Sequence, residues 1–486
     1  MKTVNKITKT VLALFMSSQV VVAQNEDDAL RFSSTSIGGT ARSISMAGAF
    51  GALGADFSSL TTNPGGIGLY RASEFTFSPA LKSASTKSSY LGQSNSDDHY
   101  QFNISNTGII FANPIESANS KWKGVAMGFG YNRLANFNNR VVMEGNNQSS
   151  SLTDVYLHEA QSYNPENLPL FGPDLAWSTY LIDTLSNKYY SAMPSNIDKI
   201  QRKTIERRGG IGETVLTVGG NYDNKLFIGG TIGFEKIRYW EESRYSERPA
   251  TDTFDIKSFY IDNYLNTDGN GINFKAGFVY MPIPAIRIGG AIHSPSFYSL
   301  TDSYSAGMST SFSDGKTYSA GIDAAGGGDK GSFNYRYISP FRAIGSLAFV
   351  IGEYGLISAD YEYVDYRNSR FRAQGYNFSD QNNAIRDKFK SVGNIRMGAE
   401  VRLTPFSLRF GYGIYPSTFK NAGLMSNQQL ITGGVGYRQD GFFADIAYMR
   451  SFYNEKYYLY NSAFNPNPSQ NSISSGMVVL TLGKRF

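Results

Sequence analysis

In the stretch NIRMGAEVRL (394–403), Ile395, Met397, Ala399, Val401 and Leu403 fall on one face of an extended chain, because side chains alternate along a strand. Asn394, Arg396, Gly398, Glu400 and Arg402 fall on the other. The next stretch, FSLRFGYGIY (406–415), repeats the division, with Phe406, Leu408, Phe410, Tyr412 and Ile414 opposite Ser407, Arg409, Gly411 and Gly413. An even-length turn at Thr404-Pro405 sets Val401 beside Leu408, Ala399 beside Phe410 and Glu400 beside Arg409. Only two architectures accept such a sheet. In a soluble sandwich the apolar face is the core; in a membrane barrel it meets lipid while the charged face lines the lumen.

Loop lengths separate the two. Fourteen stretches alternate in this way, from 72–84 to 475–486. The connections at 222–224, 282–284, 352, 404–405 and 439–441 are tight, whereas those at 135–211, 241–269, 300–331, 368–392 and 456–474 are long. An even number of strands with all long loops at one end is the pattern of an outer-membrane barrel, whose short turns are periplasmic. The expected fold is therefore all-β, a 14-stranded antiparallel transmembrane β-barrel over 72–486, with a long extracellular insertion at 135–211.

Both ends of the chain agree. Lys2, Lys6 and Lys9 precede the apolar stretch 11–22, and Val21 and Ala23 are small residues suited to cleavage, so 1–23 reads as a signal peptide. At about 12 residues, broken by Ser17, Ser18 and Gln19, the stretch is short of the roughly 20 needed to span a bilayer. Without its three lysines the formal charge falls from +5 to +2, and a nucleic-acid partner has no electrostatic basis. With 33 Tyr, 33 Phe, 50 Gly and only 17% charged residues, the composition suits neither a helical membrane protein nor an ordinary soluble enzyme. No cysteine is present, which excludes disulfides and thiolate metal sites. The last strand, MVVLTLGKRF, ends on Phe486 with Val478, Leu480 and Leu482 on alternate positions. That ending resembles the signal read by the barrel-insertion machinery.

Residues 24–71 do not alternate. They are rich in small residues, with a helical stretch expected from about Ser43 to Leu53, and then Asn63-Pro64-Gly65, a turn sequence in which Pro fixes φ and Gly accepts positive φ. Lying just before the first strand of a barrel with a charged lumen, the segment is placed to fold inward as a hatch. Here the chain resembles the FadL family of outer-membrane channels for long-chain fatty acids and other hydrophobic compounds. The matching residues are the small-residue segment GTARSISMAGAFGALGADF (39–57), Asn63-Pro64-Gly65, and the later strands around 394–415. The family has Ala where this chain has Gly65, a small-for-small change. The resemblance implies passive transport by a monomer in the bacterial outer membrane. Ligand is caught outside, moves as the hatch shifts at Asn63, Pro64 and Gly65, and leaves sideways into the membrane lipid. No cofactor and no enzymatic activity are implied.

Parity directs Lys275, Arg287, Arg342 and Arg396 into the lumen, where they are candidates for binding a carboxylate head group. The plainer reading is that they neutralise lumen acids such as Asp360, Glu362, Glu400 and Asp445. In the same way the small inward set Gly124, Ala126, Gly128 and Gly130 leaves room for the hatch. The insertion contains VYLHEA, LAWSTYLIDTL and IDKIQRKTIERR, expected to form amphipathic helices; Trp177, Tyr180, Leu181 and Leu185 are candidates for an external apolar catch or a lid. His99, His158 and His293 are scattered, without metal-ligand spacing. Alternative functions are haem capture through loop Tyr or His residues, a general porin, and an outer-membrane enzyme. For the last, no Ser-His-acid arrangement is evident.

Overall fold

The computed structural model describes residues 26–117, 119–321 and 330–486, so the expected signal segment 1–23 lies outside the described residues. Fourteen antiparallel strands follow one another around a closed barrel. Closure is made by the first strand, Glu74–Tyr90, against the last, Ser469–Arg485, with Phe77 facing Leu482. The tenth and eleventh strands, Ser391–Leu403 and Phe406–Tyr415, pair in the expected register: Val401 with Leu408, Ala399 with Phe410, Glu400 with Arg409.

The two faces separate as the pattern requires. Met397, Val401, Phe410, Phe234, Phe274 and Phe349 point outward and are exposed, whereas Arg396, Glu400 and Arg409 are buried inside. An unbroken apolar exterior on a closed sheet is stable only in lipid. Among the described residues, no helix is long and apolar enough to cross a membrane. The crossing is made by strands.

Several strands are longer than expected. Lys199–Tyr222 and Leu226–Pro249 have 24 residues each and Ile256–Ile283 has 28, against the 9 to 11 or so that a tilted strand needs to cross. Their excess stands beyond the bilayer at the long-loop end. The first strand also runs on past 84, since Glu74–Tyr90 and Gln93–Pro114 form one hairpin turning on Leu91 and Gly92, both with positive φ. Likewise IDKIQRKTIERR is not a helix: from Lys199 onward it pairs with Asn139–Asn147 and with the neighbouring strand. Its charges mimic helical spacing, but Lys199, Gln201 and Ile205 lie on one buried face at strand period.

The rest of the insertion folds over the extended strands. It contains helices Leu152–Ala160 and Pro173–Ser178 and a small hairpin, Ile182–Leu185 with Lys188–Ser191. Ser151 and Asp154 form a capping box that starts the first helix. Tyr156, Leu175, Leu181 and Met193 pack on Ile205, Tyr245, Phe259 and Met308 of the strands, so the insertion is a lid with its own apolar core.

Inside the barrel, the hatch is a series of short pieces: helices Glu26–Ser33, Ala41–Ser45 and Ser59–Thr62, then a 3-10 turn Pro64–Leu69. The helix expected from Ser43 to Leu53 ends at Ser45, because Ala47 and Gly48 turn at positive φ and the following N–H groups bond to the wall instead. Ala47 N–H donates to Thr432 Oγ1 at 3.0 Å, and Phe50 and Gly51 N–H both donate to Asp360 at 3.1 Å. Phe50, Phe57, Leu60 and Ile67 are wholly buried between hatch and wall.

Candidate functional site

Asn63 occupies the junction between the Ser59–Thr62 helix and the Pro64–Leu69 turn, with its own backbone extended. Its side chain makes three bonds. Oδ1 accepts from Gly65 N–H at 3.0 Å, and Nδ2 donates to the carbonyls of Gly51 at 2.6 Å and Phe278 at 2.8 Å. Gly51 belongs to the hatch and Phe278 to the sixth strand. One buried amide therefore closes the turn, ties it to the preceding hatch loop and fastens both to the wall.

The wall is built to receive it. A Cβ on Gly229 would lie 2.2 Å from the Pro64 carbonyl oxygen, and one on Gly277 would lie 2.0 Å from Asn63 Oδ1. On the hatch side, a Cβ at Gly65 would lie 2.5 Å from Phe278 Cα. Gly65 is thus fixed by close approach of two backbones, and alanine is not an equivalent there. Of the small inward set, Gly128 and Gly130 meet Leu60 and Phe57 of the hatch, and Ala126 packs in the same cluster.

Outside this seat the wall is thin. Gly219 and Gly229 face the hatch, at Ile67 and Pro64, while beside them a groove of about 700 Å³ opens on the outer surface. Ile115, Trp122, Val125, Val218 and Ile228 line it, with Gly220 and Gly230 as its floor.

Three of the four inward cations, Lys275, Arg342 and Arg396, line one internal cavity of about 120 Å³ on the other side of the hatch, together with Glu235, His293 and Glu362. Each is paired. Lys275 bonds Glu213; Arg342 reaches Glu362 at 3.0 Å and the Ser33 carbonyl; Arg396 lies 3.3 Å from Glu362 and 3.6 Å from Asp360. Arg287 is not part of this cavity and donates to the Leu53 carbonyl at 2.8 Å. Three of the cations at the cavity are thus matched by carboxylates, and its walls are polar and apolar in about equal parts. His293 gives Nε2 to the Thr62 carbonyl at 3.0 Å. Among the described residues, no group of three His, Cys, Asp or Glu could hold a metal ion.

A packed aromatic cluster beside that cavity was not apparent in the sequence. Phe32 of the first helix sits edge-on to Phe137, Tyr239 and Tyr337, and Tyr298 stacks on Tyr337 at 6.0 Å. Phe371 and Phe378 continue the cluster. The seven rings come from six separate stretches of the chain, and strand parity gives only that most point inward.

The four residues considered as an external catch do not form one surface. Leu181 is wholly buried in the lid core, and Trp177 packs against that core, edge-on to Tyr189. Tyr180 is exposed beside Tyr318, and Leu185, 73% exposed, projects from the hairpin. The insertion spends its apolar residues on its own packing.

The architecture is a closed fourteen-stranded barrel, plugged by its N-terminal segment at a glycine-lined seat. The chain has the FadL-type fold. It is similar to a FadL homologue of Pseudomonas aeruginosa at 11% identity and a TM-score of 0.57, over 93% of this chain and 100% of that one. It is also similar to the toluene transporter TodX of Pseudomonas putida at 13% identity and a TM-score of 0.52, over 93% and 99%. No protein-family model and no curated protein sequence matches it.

Proposed function

We propose that this protein is a bacterial outer-membrane channel for the passive, hatch-gated uptake of hydrophobic compounds such as long-chain fatty acids or aromatic hydrocarbons. The observation that carries the reading is the seat of Asn63-Pro64-Gly65. There the hatch is held by a few hydrogen bonds against a glycine wall, and an apolar groove lies directly outside. A solute moving past the displaced turn meets apolar surface, then lipid, without crossing an aqueous layer. Burial favours this path by about 0.8 kcal/mol per methylene. The aromatic cluster around Phe32 borders the internal cavity through Phe32 and Tyr298 and gives a passing solute apolar surface there. Toluene transport by TodX is in keeping with such a route.

The test is uptake of labelled long-chain fatty acid and labelled toluene by cells that lack their own channel and express this protein, beside an Asn63→Ala variant of equal surface level. Uptake of either compound by the wild type, altered in the variant, supports the reading. No uptake of either despite correct insertion rejects it.

A further inference from the structure

On one side of the barrel the outer apolar band stops along a single row of paired residues. Phe234 of the fifth strand, Ile272 of the sixth, Phe297 of the seventh and Ile338 of the eighth lie side by side. Phe234 and Phe297 are exposed, as is Phe274 in the row before, which is what contact with lipid requires. Two residues farther along, about 7 Å toward the long-loop end, the next outward row is Lys236, Asn270, Ser299, Arg336 and Arg372. Arg370 ends the apolar row on the ninth strand, and Arg238 stands opposite Asp268 one row beyond Lys236.

Lys236, Arg238, Arg336, Arg370 and Arg372 therefore share the outer face of five adjacent strands, over roughly 19 Å. The acid among them is Asp268, which bonds Lys236 and lies 3.8 Å from Arg238. Arg336, Arg370 and Arg372 are exposed, and no ion pair or side-chain hydrogen bond among the described residues involves them. Arg336 and Arg372 are direct cross-strand partners, an arrangement of like charges that weakens a sheet unless something offsets it.

The flanks supply no such offset. On the fourth strand Gly212 and Gly210 continue the two rows, and Arg208 beyond them is matched by Glu206. On the far side Arg367 is matched by Asp365. The helix Ser379–Lys388, whose Asn382 bonds the Phe371 backbone, brings Asp380 and Asp387 with Arg386 and Lys388; Lys388 bonds Glu26, and Lys390 follows, so acids and bases balance there. Glu242 is the next outward acid on the fifth strand, two rows beyond Arg238.

We propose that this basic face is a docking surface for the phosphate groups of an outer-leaflet lipid carrying more than one phosphate. Two observations choose a lipid over a free anion: the cations adjoin the apolar row without a gap, and they sit at the height where headgroups meet hydrocarbon. Acyl chains then lie on Phe234, Phe274 and Phe297 while the guanidiniums, whose paired donors match phosphate oxygens, hold the headgroup. Bound phosphate offsets the repulsion between Arg336 and Arg372. The surface depends on the barrel's orientation in the membrane and not on what passes through its lumen.

The experiment is native mass spectrometry of the protein in neutral detergent, titrated with diphosphoryl lipid A, with phosphatidylethanolamine and with inorganic pyrophosphate. It compares the wild type with Arg336→Gln/Arg372→Gln, with Arg336→Lys/Arg372→Lys and with Arg450→Gln, which removes an exposed cation elsewhere on the outer wall. All these positions are exposed, so folding is kept, as heat-modified gel mobility checks. The expected result is lipid A binding weakened about thirtyfold in the Gln pair, kept in the Lys pair and in Arg450→Gln, with phosphatidylethanolamine binding the same throughout. Lipid A binding equal in the wild type and the Gln pair overturns the proposal, as does an equal loss in Arg450→Gln, which would mark a general effect of charge. Pyrophosphate that binds as tightly as lipid A and is lost in the Gln pair overturns the assignment to lipid in favour of free phosphate.

Discussion

The side-chain amide of Asn63, in the hatch, donates to the backbone carbonyl of Phe278, in the barrel wall, at 2.8 Å, and the same nitrogen donates to Gly51 at 2.6 Å. Asn63→Ala leaves both carbonyls buried and without this donor, at a cost of about 1–3 kcal/mol for each unsatisfied group. Hydrogen exchange at hatch amides 50–66 is expected to rise by one to two orders of magnitude or so, with the strands unchanged. Equal protection in the variant would contradict the role assigned to Asn63.

Gly65→Ala is expected to act in the same direction, because its Cβ would fall 2.5 Å from Phe278 Cα and backbone cannot yield as a side chain can. Its signature is faster exchange confined to 63–69 with unaltered heat-modified mobility of the barrel. A variant with wild-type exchange would show that the seat adjusts freely.

Arg409 is 1% exposed and joins Glu400 to Asp445. Arg409→Met leaves Asp445 without its cation, while Glu400 keeps Arg42 and Arg402. The expected loss is about 3–5 kcal/mol of barrel stability, read as a lower urea midpoint for unfolding in detergent. Arg409→Lys recovers part of it.

The strand pairing at Val401 and Leu408 was legible because a period of two and one tight turn leave a single register that keeps all apolar residues outward. The ends of strands were less so: beyond the bilayer both faces of Lys199–Tyr222 carry polar residues, and alternation fades although pairing continues. Asn63 stood out in the sequence, but the need for Gly65 did not, since the backbone of Phe278 that excludes a side chain arrives from more than 200 positions away. The four inward cations were found by parity. Which of them are neutralised depends on Glu213 and Glu362 across the strands, and a single stretch of sequence does not record that pairing.

The lid carries its own pH dependence. Glu247, at the extracellular end of its strand, accepts Ser151 Oγ at 2.6 Å and Leu152 N–H at 2.9 Å, and burial raises its carboxyl above the ordinary value. A raised folded-state value means that the stabilisation from this group is fully present below the ordinary carboxyl range and is lost as pH rises through the raised value. Protection of helix 152–160, normalised to unstructured exchange rates, is therefore expected to be greater at about pH 4 than at pH 7. Glu247→Gln should flatten that dependence; a slope unchanged in the variant would assign it elsewhere.

Hatch gating is tested most directly by fastening the hatch reversibly to the wall. The chain contains no cysteine, and Ala41 N–H of the hatch already meets Thr481 Oγ1 of the last strand at 2.7 Å. Cysteines at positions 41 and 481 allow a disulfide across that contact. Uptake of a labelled hydrophobic compound that stops on oxidation and returns with reductant is the outcome that a moving hatch predicts. Uptake that continues at the wild-type rate with the disulfide formed would contradict it.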